Sequence, residues 1–198
     1  MKTSPRSPAS PSPPHRVRII GGQWKRTPLA VPEIAGLRPT PDRVRETLFN
    51  WLGQDLAGRS CLDLFAGSGA LSFEAASRGA APVVCVERDR TACTAIRRSI
   101  EKLSADAMEL HEADAERVAR QFIVAKRCFD IVLLDPPFRA EWIDRMLPLA
   151  AALLAPDGDL YVEAESALDS SVVEPLGLTV RRQGSAGQVH YHVLSRAA

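Results

Sequence analysis

Cys61-Leu62-Asp63-Leu64-Phe65-Ala66-Gly67-Ser68-Gly69 passes from an apolar strand pattern into a tight glycine turn. Helical spacing follows from Ala70 to about Arg78, so the stretch reads as strand, turn, helix. A glycine turn there lets backbone approach a ligand at the helix N-terminus, as in open α/β sheets that bind nucleotides. It is not the dinucleotide fingerprint, because Ser72 stands where Gly-x-Gly-x-x-Gly would place its last glycine. The same unit recurs downstream. Val83 to Glu87 reads as a second strand, and Glu87 lies eighteen residues beyond Gly69, near the interval at which an acid reaches ribose hydroxyls. Asp89 is placed to cap a helix with the stripe Ala92, Ile96, Ile100 and Leu103. Met108 to His111 forms a third strand, with Asp114 just beyond it and an amphipathic helix to about Val124. Phe129 to Leu134 forms a fourth and stops at Asp135. Strands that each end in a polar turn predict a parallel sheet whose turns share one ligand-binding rim.

The fourth turn, Asp135-Pro136-Pro137-Phe138, has unusual chemistry. Neither proline has a backbone N–H, and a residue before proline avoids the α region, so the loop is stiff and extended. It offers a carboxylate, two carbonyls without neighbouring donors, and an aromatic ring. A flat substrate with an amino group fits: its N–H donors reach Asp135 and a loop carbonyl while its ring stacks on Phe138. The plain alternative is a strand that ends in an ordinary Pro-rich turn.

Beyond this loop the pattern predicts a helix over roughly Glu141–Leu154, kinked at Pro148. Pro156-Asp157-Gly158 reads as a turn into the strand Asp159–Glu163. Leu178–Arg182 and Val189–Leu194 read as an antiparallel pair joined by Gly184-Ser185-Ala186-Gly187.

Toward the N-terminus, residues 1–14 hold five prolines and four serines and predict a disordered leader, with order starting near Arg16. Arg16-Val17-Arg18-Ile19-Ile20, Gly21-Gly22, Gln23 to Arg26 and Leu29-Ala30-Val31 suit a small hairpin or meander. A helix should follow with Thr40 as N-cap, Pro41 in its first turn, and a buried stripe of Val44, Leu48, Trp51 and Leu52. The net charge of +1 hides an asymmetry: residues 1–50 carry nine Lys/Arg against three Asp/Glu, the remainder sixteen against twenty-one. A basic front suggests a polyanion, although a solvated basic face would look the same. Arg16, Arg18, Lys25 and Arg26 suit phosphates and Trp24 a base, although Ile19 and Trp24 would equally suit packing on the core.

The 198 residues suit one domain. No apolar run approaches a membrane span or a secretory signal, which predicts a cytoplasmic protein. Cys61, Cys85, Cys93 and Cys128 lack metal-ligand spacing, as do the four histidines, so packed thiols are expected and no metal.

Asp63-Leu64-Phe65-Ala66-Gly67-Ser68-Gly69, Glu87, Asp114 and Asp135-Pro136-Pro137-Phe138, in that order, resemble the class I S-adenosylmethionine-dependent methyltransferases that modify exocyclic amino groups. Arg18-Ile19-Ile20-Gly21-Gly22, Leu37-Arg38-Pro39-Thr40, Asp42 to Leu52 and Ala186-Gly187-Gln188-Val189 are similar to the bacterial guanine-N2 methyltransferases of 16S ribosomal RNA. The resemblance runs from Arg16 to Ser195. It implies a Rossmann-like α/β fold: a seven-stranded, mostly parallel sheet with helices on both faces. Residues 16–198 would form a single domain, 16–36 of it a β-hairpin extension, after the leader 1–15. It further implies S-adenosylmethionine as cofactor and 16S rRNA in the small subunit, or its assembly intermediate, as partner of a monomer. By this resemblance the Gly67-Ser68-Gly69 turn faces the methionine part of the cofactor, braced by Asp63. Glu87 binds the ribose and Asp114 the adenine amino group, with Phe65, Ala66, Arg88 and Ala115 completing the cofactor set. Asp135, Pro136, Pro137 and Phe138 hold the target guanine. RNA contacts fall to Arg16, Arg18, Gly21, Gly22, Trp24, Lys25, Arg26, Arg38, Arg43 and Arg45.

Other readings share parts of the pattern. A DNA adenine or cytosine amino-methyltransferase would use the same loop but usually adds a target-recognition domain, for which this chain has no room. A nicotinamide oxidoreductase is opposed by Ser72 and by the Asp-Pro-Pro-Phe loop. A non-catalytic RNA-binding protein on this fold should carry a damaged turn or loop, and both are intact in the sequence.

Overall fold

The computed structural model describes residues 16–34, 39–137 and 141–197. The expectations for the leader 1–15, for Arg38 and for Phe138 fall outside these residues. In chain order the elements are β1 (Arg16–Arg18), β2 (Pro28–Ala30), α1 (Asp42–Leu52), β3 (Cys61–Asp63), α2 (Ala70–Ser77), β4 (Val83–Glu87), α3 (Arg90–Leu103) and β5 (Met108–Glu112). They continue with α4 (Ala115–Val124), β6 (Phe129–Leu134), α5 (Trp142–Ala152), β7 (Leu154–Ala164), α6 (Ser170–Val173), a 3-10 turn (Glu174–Leu176), β8 (Leu178–Ala186) and β9 (Val189–Arg196).

Seven strands form one sheet in the order β5-β4-β3-β6-β7-β9-β8. The first five run parallel, and β9 pairs antiparallel with both β7 and β8. Each central strand is apolar on both sides, as burial between two helical layers requires. Cys61, Val83, Cys85, Ile131 and Leu133 face one core with Val44, Leu48 and Phe49 of α1 and Phe73 of α2. Leu62, Val84, Val86, Val132 and Leu134 face the other with Val118 and Phe122 of α4 and Met146 and Leu147 of α5. Each such fully buried side chain contributes about 1.5–3 kcal/mol. From β3 the chain crosses outward to β4 and β5, then returns to lay β6 on the other side of β3. That reversal opens a crevice at the C-terminal ends of β3 and β6.

β1 and β2 form the expected hairpin as a separate two-stranded sheet, with Val17 opposite Leu29. Gln23 to Arg26 lie in its turn rather than in a strand. Gly21 and Gly22 serve close approach to α2 more than chain reversal: a Cβ on Gly22, at φ +73°, would lie 1.8 Å from the Ser77 carbonyl oxygen. The backbone N–H groups of Ile20 and Gly21 donate to Glu74, and those of Gln23 and Trp24 donate to Ser77. Ile19 is buried and Trp24 packs half-buried on the core.

Three local expectations are corrected. α1 starts at Asp42 with Pro41 as N-cap and no side-chain cap, because the Thr40 hydroxyl is engaged elsewhere. Pro156-Asp157-Gly158 lies inside β7 as an irregularity: Phe129 pairs with Leu154 and Ile131 with Asp159, so the extra residues bulge out of the ladder. Gly184, Ser185 and Ala186 are paired in β8, and only Gly187-Gln188 turn into β9. Among the described residues no helix is long and apolar enough to cross a membrane.

Candidate active site

The glycine turn is held from both sides. Ala66 donates its N–H to the Val86 carbonyl at 2.9 Å, and Gly69 donates to the Ala66 carbonyl at 2.6 Å. Gly69 takes φ +78°, and a Cβ there would meet the Phe73 ring at 2.9 Å, so glycine is required twice over. Behind the turn lies Asp63, 1% exposed. Its Oδ2 accepts from the Ser72 hydroxyl at 2.6 Å and its Oδ1 from the Phe65 N–H at 3.3 Å. Ser72, which argues against a dinucleotide turn, thus ties α2 to the strand end. Burial raises the Asp63 carboxyl to about 6, against the lowering effect of these two donors.

Glu87 is drawn onto the same turn. Its Oε2 accepts from the Gly67 N–H at 2.8 Å, and its Oε1 from the N–H groups of Arg88 at 2.8 Å and Asp89 at 2.7 Å. A carboxylate has about four lone-pair sites, so a ribose diol would use the remaining one and displace one of these amides. The exposed Asp114 caps α4, with Oδ1 accepting from Arg117 N–H at 3.0 Å, and Ala115 is buried behind it. The Phe65 ring meets Trp142, at the start of α5, edge-on at 5.2 Å. This contact joins the glycine turn to the chain that follows Asp135.

Asp135 leaves the end of β6, next to the end of β7. It keeps a partly exposed edge, but protein atoms surround its carboxyl. The Thr40 hydroxyl donates to Asp135 Oδ2 at 3.2 Å. Burial first, then the charge of Glu163, push the Asp135 carboxyl well above the usual carboxylate range. Glu163, near the end of β7, is buried, and the Tyr161 hydroxyl donates to its Oε1 at 2.7 Å. Burial raises Glu163 as well, with the Tyr161 and Thr40 hydroxyls opposing. Pro136 is buried and Pro137 exposed.

Five neighbouring strands therefore each deliver an acid to one rim: Asp63, Glu87, Asp114, Asp135 and Glu163. Sequence reasoning missed Glu163, Tyr161 and Thr40. The rule that selected Asp135, an acid where a core strand stops, applies equally to Tyr161-Val162-Glu163. No local signal pointed to Thr40, which meets Asp135 across 95 residues.

On the hairpin side Arg16, Arg18, Lys25, Arg26 and Arg43 are exposed. Arg45 corrects the RNA-contact expectation, because it is 0% exposed. Its guanidinium donates to the Thr40 carbonyl at 3.2 Å, the Arg18 carbonyl at 2.9 Å, Asp42 at 2.7 Å and Glu74 at 3.4 Å. Four of its five N–H donors are spent inside the protein, and burial keeps the guanidinium from a phosphate. Gly21 is likewise committed to Glu74.

The strand order, the glycine turn and the acidic rim are those of a Rossmann-like methyltransferase domain. A solved structure described as a putative methyltransferase from Escherichia coli superposes with a TM-score of 0.77 at 38% identity, covering 93% of this chain and 99% of the other. The family model described as "Conserved hypothetical protein 95" matches residues 17–195, and the chain belongs to that family. Its relatives include ribosomal RNA small subunit methyltransferase D of Escherichia coli K12, 40% identical over 92% of this chain and 91% of the relative. The Haemophilus influenzae protein of the same name is 36% identical over 93% and 96%.

Proposed function

We propose that this enzyme transfers a methyl group from S-adenosylmethionine to the exocyclic N2 amino group of one guanine in 16S rRNA. Its substrate on this reading is the small ribosomal subunit or an assembly intermediate of it. The observation that carries the reading is the seating of Asp135-Pro136-Pro137 on the same rim as the Gly67–Gly69 turn and Glu87, in a chain whose relatives are named for small-subunit RNA methylation.

The residues present fit the cofactor: a glycine turn at a helix N-terminus, an acid beside it at the ribose interval, and Asp114 at the next strand end. When bound, the cofactor supplies an electrophilic methyl on a good leaving group, so the protein's task is mainly alignment. A guanine amino nitrogen is a weak nucleophile because its lone pair is delocalised into the ring. Asp135 and the Pro136 carbonyl accept from its two N–H groups, which favours a pyramidal nitrogen with its lone pair directed outward. Asp135 then takes the proton that the nitrogen sheds. Phe138 provides a stacking surface that offsets part of the cost of removing the base from its neighbours. Arg16, Arg18, Lys25, Arg26 and Arg43 grip phosphates on the hairpin side.

The test offers labelled methyl donor and purified enzyme to small subunits from a strain that lacks this gene, then maps the product. One labelled guanine, carried as N2-methylguanine, is expected. Label on adenine or on cytosine would contradict the reading.

A further inference from the structure

Thr40 stands between two prolines, and a residue before proline is held extended, so its backbone has little freedom. Arg45 Nε fixes its carbonyl at 3.2 Å, and Arg45 is itself tied to Glu74 of α2 and to the Arg18 carbonyl of the hairpin. What remains of Thr40 is a hydroxyl, 7% exposed as a residue, and it donates to Asp135 Oδ2. The groups around Asp135 otherwise work against an ionised carboxyl there. Glu163 lies beside it on β7, served by the Tyr161 hydroxyl, and Asp63 faces it from β3. Tyr191 of β9, opposite Glu163 in the ladder, adds no cation. Among the described residues no Lys or Arg forms an ion pair with either carboxyl.

We propose that Thr40 is a positioning residue for the transfer, one that keeps Asp135 turned toward the target amine as an ionised acceptor despite the neighbouring Glu163. The proposal rests on the reading of Asp135 as the group that accepts from that amine. In the step it serves, an N–H bond of the amine breaks and its electron pair stays on nitrogen. The proton forms an O–H bond on Asp135, and Thr40 keeps its own proton throughout. With Tyr161 donating to Glu163, burial and the charge of Glu163 both favour the protonated form of Asp135. Thr40 counteracts this, because a donor to a carboxylate stabilises the charged form.

The experiment measures single-turnover methylation of small subunits from about pH 6 to 9 for the wild type, Thr40→Val, Thr40→Ser, Glu163→Gln and Asp135→Asn. Donor and RNA affinities are measured in parallel. Thr40→Val keeps the shape, and its rate should fall roughly tenfold near neutral pH, the scale of one lost hydrogen bond to a charged group. The acid limb of its profile should move up, so the deficit shrinks as pH rises, while both affinities stay unchanged. Thr40→Ser should restore most of the rate. Glu163→Gln removes the opposing charge and should move the acid limb down. A Thr40→Val deficit equal at every pH, a wild-type profile in that variant, failure of Ser to rescue, or an unmoved limb in Glu163→Gln would overturn the inference. A full rate in Asp135→Asn would instead overturn the reading of the site itself.

Discussion

Glu74 and the Asp135–Glu163 pair are both buried acids, and the protein treats them in opposite ways. Glu74, 0% exposed, accepts from two guanidiniums and two backbone amides: Arg45, Arg78, Ile20 and Gly21. Among the described residues, Asp135 and Glu163 receive only the Thr40 and Tyr161 hydroxyls. A buried charge with full compensation holds shape, and here it clamps the hairpin and α1 onto the helix that follows the glycine turn. Like charges buried together cost stability and persist where chemistry needs a responsive carboxyl. One acid fastens the molecule together; on the proposed reading the other two are held ready for reaction.

The two clusters should differ most at Arg45. Arg45→Met leaves Glu74 short of a cation and should cost about 3–5 kcal/mol of stability, read by urea unfolding. At the rim, Glu163→Gln should leave stability level or raise it at neutral pH. Equal losses in the two variants would mean that the two clusters do the same work.

Asp63 sharpens the contrast with a smaller effect. Its folded value of about 6 lies above the 3.8 of an unperturbed carboxyl, so between the two the native state holds a proton that the unfolded chain has released. Its contribution is fully present below about pH 4 and is lost as pH rises through 6, on the order of 3 kcal/mol in all. Asp63→Asn should flatten that part of the stability profile relative to wild type. An unchanged slope from pH 4 to 7 would show that Asp63 stays ionised in the native state.

Much of this was legible in the chain because it is local. Val83–Glu87 and Phe129–Leu134 were bounded by apolar runs ending in acids, and Asp89 capped α3 as its position implies, accepting from Thr91 and Ala92. The misreadings share a cause: partners distant in sequence. Arg45 belongs to the basic block by composition, yet Glu74, 29 residues on, draws it inside. Thr40 has the sequence signature of an N-cap, but Asp135 takes its hydroxyl. The Pro156-Asp157-Gly158 turn is real chemistry, but the β6 ladder runs past it and absorbs it as a bulge.

On the proposed reading, Asp135 accepts from the amine being methylated. The direct measurement is single-turnover methylation of small subunits by Asp135→Asn, with donor affinity measured on the same preparation. Losing that charged acceptor should cost roughly 30- to 1,000-fold in rate, about 2–4 kcal/mol of transition-state stabilisation. Donor affinity should hold, because the Gly67 turn, Glu87 and Asp114 are untouched. A near-wild-type rate in Asp135→Asn would reduce Asp135-Pro136-Pro137 to a turn with no part in the transfer.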